Sequence, residues 1–206
     1  MKNILNKRKG FTLAELMVCL AIISVIATLL MPAINKLRPN KSKVMFKKAY
    51  YLTERIVSEL VNDEESYPFV EDRVGFDNVD EVEFNDVTYS GASKFCQLFA
   101  LKLNTLSGDS NCVANVDWNN PSFITTDGVK WIIPVTDFAN TDIYESILVD
   151  VNGDNGPNCS DSETDTSACP QPDRFELKVR ADGKMKVDGI MARDYVGSTN
   201  MIENQR

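Results

Sequence analysis

Side chains that carry oxygen are concentrated between Asp150 and Asp165, where the chain reads DVNGDNGPNCSDSETD. Calcium prefers such oxygen ligands, and loops of the EF-hand or dockerin type place them at the first, third, fifth, ninth and twelfth positions. In this chain those positions hold Asp150, Asn152, Asp154, Asn158 and Asp161. The spacing predicts a calcium site whose ligands are Asp150, Asn152, Asp154 and Asn158, with Asp173 as a candidate closing carboxylate.

The match to a calcium loop is incomplete. Asn155 stands where such loops have an invariant glycine, and Asp161 replaces the bidentate glutamate. Because Asn, Asp and Gly are also ordinary turn residues, the alternative is a solvated acidic turn closed by a disulfide. Both interpretations remain open at this point.

Four of the five cysteines lie in the part of the chain after residue 95, slightly more than its second half, at Cys96, Cys112, Cys159 and Cys169. Their spacings of 16 and 10 residues match no CxxC metal pattern. Of the three ways to pair them we favour the sequential pairs 96–112 and 159–169, with four reduced thiols as the alternative. Disulfides require an oxidising compartment, so this part is expected outside the cytosol.

Catalytic signatures are scarce. The chain has no histidine, the commonest general base and metal ligand, and it has no Gly-rich phosphate loop, HExxH motif or GxSxG motif. Residues 63–206 carry 11 basic against 27 acidic residues, a charge that would repel nucleic acid. We therefore expect neither an enzyme nor a nucleic-acid-binding head.

A different kind of carboxylate, Glu15, lies within the apolar run FTLAELMVCLAIISVIATLLM, from Phe11 to Met31. About 20 apolar residues span a hydrocarbon core of roughly 30 Å, so the run predicts a transmembrane helix rather than a cleaved secretory signal or a buried helix. Basic residues flank both ends, which leaves the positive-inside rule ambiguous. The cysteines favour a cytoplasmic N-terminus and an external head.

An acid in a membrane helix costs a few kcal/mol and usually marks a functional contact, although near a helix start it also complements the helix dipole. The basic leader, Gly10, the FTLAE stretch with Glu15, and the long apolar run together resemble the prepilin signal of type IV pilins and type II secretion pseudopilins. The proline expected 22 residues into the mature chain of this family is matched by Pro32, where we expect a helix kink.

The resemblance implies a processing pathway. A prepilin peptidase would cut between Gly10 and Phe11 and methylate the new amine of Phe11, and a neighbouring subunit's Glu15 would neutralise that amine during assembly. An assembly ATPase and a platform protein would then extract the subunit from the membrane. The loop after Asp150 also resembles the calcium loop of major pseudopilins.

The other elements are predicted from periodicity. From Val44 to about Asn62, apolar residues recur at helical spacing, so an amphipathic helix should continue the membrane helix, with Pro39 a point where its continuity is in doubt. We expect a short helix around Ala92–Leu103, hairpins over 123–135 and 175–187 with Asp-Gly turns, and a strand at Ile143–Val149.

These elements predict an α+β protein in which a long N-terminal helix packs on a small antiparallel sheet, as in type IV pilins. The expected domains are a leader (1–10), a transmembrane helix (11–31), an amphipathic continuation (32–62) and a globular extracytoplasmic head (63–206).

The predicted function is a structural subunit of a type IV pilus or a type II secretion pseudopilus. It would cross the bacterial inner membrane once and polymerise with copies of itself or with other pilin subunits, either as a surface filament or in the periplasm. The alternative is a minor subunit whose calcium-stabilised loop binds a ligand or acts as an adhesin.

Overall fold

The computed structural model of the chain describes residues 12–37, 40–106 and 110–197. The chain divides into two compact units, Met1–Asn40 and Lys41–Arg206. Helix α1 (Leu13–Leu37) belongs to the first unit, and the remaining helices and strands belong to the second.

Helix α1 is apolar on all sides. Its stretch Leu13–Leu30 has a mean hydropathy of 2.5, and none of it is buried within the protein. The hydroxyls of Ser24 and Thr28 donate to the carbonyls of Ala21 and Val25, respectively, each at 2.8 Å. Both hydroxyls thus find their hydrogen-bond acceptors within their own helix. A helix that is apolar all round is suited to a bilayer or to a bundle of similar helices.

The predicted long helix is divided into two elements. Helix α1 runs past Pro32 to Leu37, Asn40 is not helical, and helix α2 begins at Lys41. Proline lacks a backbone donor and disfavours helical geometry in the residue before it, so Pro39 accounts for a break at this place in the sequence. The kink at Pro32 stays a prediction.

Helix α2 (Lys41–Val61) is amphipathic and supplies one side of the core of the second unit. Its buried residues are Phe46, Ala49, Tyr50, Thr53, Ile56, Val57 and Leu60. The ring of Phe46 stacks on that of Phe175, with 4.2 Å between ring centroids. Full burial of one such side chain contributes about 1.5–3 kcal/mol, so this face holds the helix on the sheet.

The main sheet is a five-stranded antiparallel meander in the order β3 (Phe123–Ile124), β4 (Lys130–Ile132), β5 (Tyr144–Asp150), β6 (Arg174–Arg180) and β7 (Met185–Lys186). In β6 the residues Phe175, Leu177 and Val179 are buried and alternate with partly exposed ones. The sequence predicted these strands because period-two alternation marks a sheet with one covered face.

Three elements complete the second unit. Helix α3 (Lys94–Leu101) lies within the range predicted for a short helix. The hairpin β1–β2 (Val82–Phe84 and Val87–Tyr89) and helix α4 (Ile190–Val196) were not predicted. The hairpin turns at Asn85 and Asp86, whose φ angles of 54° and 62° are those that a tight two-residue turn requires.

Candidate functional site

Glu15 occupies the third position of α1 and forms a capping box with Thr12. The carboxylate Oε2 of Glu15 accepts hydrogen bonds from the backbone N–H and the hydroxyl of Thr12, both at 2.8 Å. The backbone N–H of Glu15 in turn donates to the Thr12 hydroxyl at 3.3 Å. The spacing T-x-x-E at a helix start is the signature of this motif, so the sequence itself contained the signal for the capping box.

The capping box uses only one of the two carboxylate oxygens of Glu15. Both bonds from Thr12 reach Oε2, and Oε1 receives none from the described residues. Glu15 can therefore cap its own helix and still accept a bond from a donor outside this chain. The predicted processing residues Gly10 and Phe11 lie outside the described residues.

The predicted calcium ligands do come together, but their oxygens already receive bonds from protein donors. Asp150, which is fully buried, accepts bonds from Arg174 Nε at 3.0 Å and from the N–H of Asn152 at 3.3 Å. Asp173, also fully buried, accepts the N–H groups of Asn158 at 2.8 Å and Cys159 at 2.9 Å. Both carboxylates thus hold the loop closed.

Of the remaining candidate ligands, two contact basic side chains of the chain and the third has a side-chain oxygen without a hydrogen-bond donor. Asp154 is paired with Lys130 at 2.5 Å, and Asn158 Oδ1 accepts from Arg174 Nη2 at 3.4 Å. Asn152 Oδ1 is buried and accepts no hydrogen bond within the described residues. Asn152 Oδ1 and Asp154 Oδ2 are therefore the side-chain oxygens of this set that accept no hydrogen bond from the described residues, whereas calcium takes six to eight oxygen ligands.

In this arrangement the loop oxygens already have donors within the chain, and calcium binding stays a prediction. Within the described ranges, no group of three or more His, Cys, Asp or Glu side chains is placed to hold a metal ion. The positive charge in the loop comes instead from Arg174 and Lys130. The guanidinium carbon of Arg174 also lies 4.6 Å from the ring centroid of Trp118, so the cation is held from two sides.

Asp161, the predicted twelfth position of the calcium loop, has a different role. Its carboxylate accepts the backbone N–H groups of Met191 at 3.1 Å and Ala192 at 2.7 Å, at the start of α4. The free N–H groups of a helix start favour such an acceptor. The carboxylate thereby ties the loop to a helix some 30 residues further along the chain.

Disulfides close two loops of the second unit in sequential order. Cys96 pairs with Cys112, and Cys159 pairs with Cys169. Cys19 in α1 is a free, exposed thiol. The second disulfide joins the two ends of the segment that follows the Asp150 turn, which constrains the same loop as Arg174 and Asp173.

A buried lysine organises the segment between α2 and α3. Lys94 is 1% exposed, and its ammonium donates to the carbonyls of Asn78 at 3.0 Å and Asp80 at 2.9 Å. It also lies 4.4 Å from the ring centroid of Tyr67. Burial lowers the pKa of Lys94 to about 8. Nothing in the sequence analysis singled out this residue.

The comparison with known protein families identifies the N-terminal region. A family model for the prokaryotic N-terminal methylation motif matches residues 5–31. The chain carries the prepilin signal of type IV pilins and pseudopilins. The apolar helix α1 and the antiparallel sheets agree with the α+β architecture expected for a pilin-like protein. No curated protein and no solved structure shows a detectable match.

Proposed function

We propose that the chain is a structural subunit of a type IV pilus or a type II secretion pseudopilus. In this proposal, prepilin peptidase cleaves after Gly10, the amine of Phe11 is methylated, and α1 packs with the same helix of other subunits. The observation that carries the proposal is Glu15, placed within a methylation motif at the start of an apolar helix, with one carboxylate oxygen that accepts no bond from the described residues.

The free oxygen of Glu15 suits the amine that cleavage would create. A cationic amine and a carboxylate in an apolar bundle each cost several kcal/mol when unpaired. Their pairing therefore selects the correct axial offset between neighbouring subunits more than it adds stability. The capping box fixes the Glu15 side chain in advance. This limits the entropy lost when a neighbouring subunit docks.

The proposed topology places the N-terminus in the cytoplasm and the second unit outside the inner membrane. Two disulfides support an oxidising location for that unit. The methylation motif is typical of structural subunits rather than enzymes. A minor subunit with adhesive or ligand-binding function remains the alternative prediction.

The proposal is tested by separating the charge of Glu15 from its capping role. Glu15→Gln keeps a side chain that can complete a capping box but removes the charge, whereas Thr12→Val removes the capping hydroxyl and keeps the charge. In cells with a prepilin peptidase and an assembly machinery, both variants should insert and be cleaved.

We expect filament yield to fall at least about tenfold for Glu15→Gln and for Glu15→Ala, because an amine left unpaired in an apolar bundle costs several kcal/mol. Thr12→Val should assemble. Mass spectrometry of the mature N-terminus checks cleavage and methylation. Normal assembly of Glu15→Gln, or an uncleaved leader, would refute the proposal.

The two machines are distinguished by immunogold labelling of intact cells with an antibody against the second unit. Label along surface filaments identifies a type IV pilus. Label that requires permeabilised cells, with the protein present in membranes, identifies a periplasmic pseudopilus.

A further inference from the structure

Phe69 is the most exposed large hydrophobic side chain among the described residues, at 85%. The two residues that precede it are anchored to the rest of the unit. The carbonyl of Pro68 accepts a hydrogen bond from Asn78 Nδ2 at 2.7 Å, and Tyr67 is buried with its ring centroid 5.0 Å from that of Phe76. An exposed aromatic side chain on an anchored segment is a candidate contact with another molecule.

The surroundings of Phe69 are strongly acidic. Between Asp63 and Asp86 the chain has ten acidic residues and a single basic one, Arg73. The four acids nearest to Phe69 in sequence are exposed and have no ion-pair partner within the described residues, namely Glu64, Glu65, Glu71 and Asp72. We call Phe69 with these four carboxylates the acidic knob.

On a separate surface of the same unit, α2 and the β3–β4 turn enclose a cavity of about 200 Å³. Its apolar lining includes Met45, Ala49, Leu52, Leu103 and Trp131. A cavity of roughly 150 Å³ lined by apolar groups binds benzene, so this cavity has room for a phenyl ring. None of its lining residues belongs to the segment 63–89 that carries the acidic knob.

The mouth of the cavity carries basic side chains. Lys48, Arg55 and Lys102 line it. Lys48 is paired with Asp127 at 2.8 Å and Lys102 with Glu59 at 2.7 Å, whereas Arg55 has no ion-pair partner within the described residues. Arg55 is therefore the cation at the mouth that can meet the carboxylates of the knob.

We propose that the acidic knob of one copy docks on the cavity of a second copy, with the Phe69 ring inserted between α2 and the β3–β4 turn. Because knob and cavity are different surfaces of one unit, the contact is head-to-tail and repeats along an open chain of subunits. The inference rests on the proposed function, which supplies the polymer. It specifies where the second units of neighbouring subunits touch.

The docking is tested in the full chain, in cells that assemble it, with a benzophenone amino acid in place of Phe69. Ultraviolet light should then give covalent dimers and larger species, and mass spectrometry should place the crosslink on α2, on residues 102–104 or on residues 125–131 of a second copy. The matched control carries the same probe at Ile143, which is 51% exposed. Crosslinks from Phe69 that map only elsewhere overturn the inference.

Two pairs of variants measure how much the acidic knob and the cavity each contribute to the contact. Phe69→Ser should weaken association about tenfold or more, since burial of a phenyl ring is lost, while Ile143→Ser should leave it unchanged. Arg55→Glu should reduce assembly, and Arg193→Glu, at an exposed position of α4, should not. If each variant assembles as well as its control and the filaments are normal, the docking contact is overturned and the proposed function stands. Failure of the wild-type chain to multimerise would overturn both.

Discussion

Replacing Arg174 by glutamine removes the cation that lies against the buried carboxylate of Asp150. Asp150 is fully buried, and the side chain of Arg174 is 20% exposed. Burial raises the pKa of Asp150, while the hydrogen bond from Arg174 opposes that rise. The variant therefore leaves an uncompensated carboxylate inside the protein.

Removal of one partner from a buried ion pair costs about 3–5 kcal/mol. Because Arg174 is partly exposed, we expect the lower end, about 3 kcal/mol, plus about 0.5–1 kcal/mol for the lost contact with Trp118. The matched control is Arg73→Gln, whose pair with Asp80 has side chains that are 37% and 58% exposed. Solvent screens that pair, so its loss should be much less destabilising.

The assay is urea unfolding of the full chain in detergent, followed by the fluorescence of the two tryptophans. The destabilisation by Arg174→Gln should shrink as pH falls. The pKa of Asp150 is raised in the folded state above its ordinary value of 3.8. As pH falls through the raised pKa, Asp150 becomes protonated, and the cost of burying an unpaired carboxylate disappears. A penalty no larger than that of Arg73→Gln, or one that grows in acid, would refute the reasoning.

Three further predictions concern the second unit. Calcium should leave the melting temperature of the wild-type chain unchanged relative to a chelator, because Arg174 and Lys130 already pair with the loop carboxylates; a calcium-dependent rise would show that the loop binds the ion. Lys94→Met should abolish a gain in unfolding free energy that the wild type shows as pH rises from about 8 to 10.5, since the folded-state pKa of Lys94 is lowered; parallel pH profiles would contradict this. Gly75→Ala should destabilise by about 1–3 kcal/mol, because φ is +52° and a Cβ would strike a backbone oxygen and a valine, whereas Gly91→Ala, at φ +66° with open space, should cost less in the same urea titration.

Much of the fold was predictable because local pattern and burial agree. The alternation of Phe175, Leu177 and Val179 predicted β6, and the spacing of apolar residues predicted α2. The β1–β2 hairpin was missed because its strands have three residues each and both are mostly exposed, so no periodicity develops. Helix α4 has seven residues, too few for a reliable helical pattern.

The loop after Asp150 shows where pattern reasoning stops. The spacing of Asp150, Asn152 and Asp154 is that of a cation-binding loop, and the structure does place positive charge there. That charge comes from Arg174, which is 24 residues from Asp150, and from Lys130, which is 24 residues from Asp154. Sequence spacing identifies acceptors within one loop, but it does not show which distant donors the sheet brings to them.

The sequence by itself determined an apolar helix long enough to cross a membrane, the prepilin signal and the hairpins of a small antiparallel sheet. These depend on the residues within one segment, through hydrophobic length, a local motif and a period of two. Only the tertiary structure decided that Lys94 lies buried beneath Tyr67, that Asp161 caps α4, and that the Asp150 carboxylate pairs with an arginine. Each of these contacts joins residues far apart in the chain, and a buried charge is stable only where folding delivers its partner.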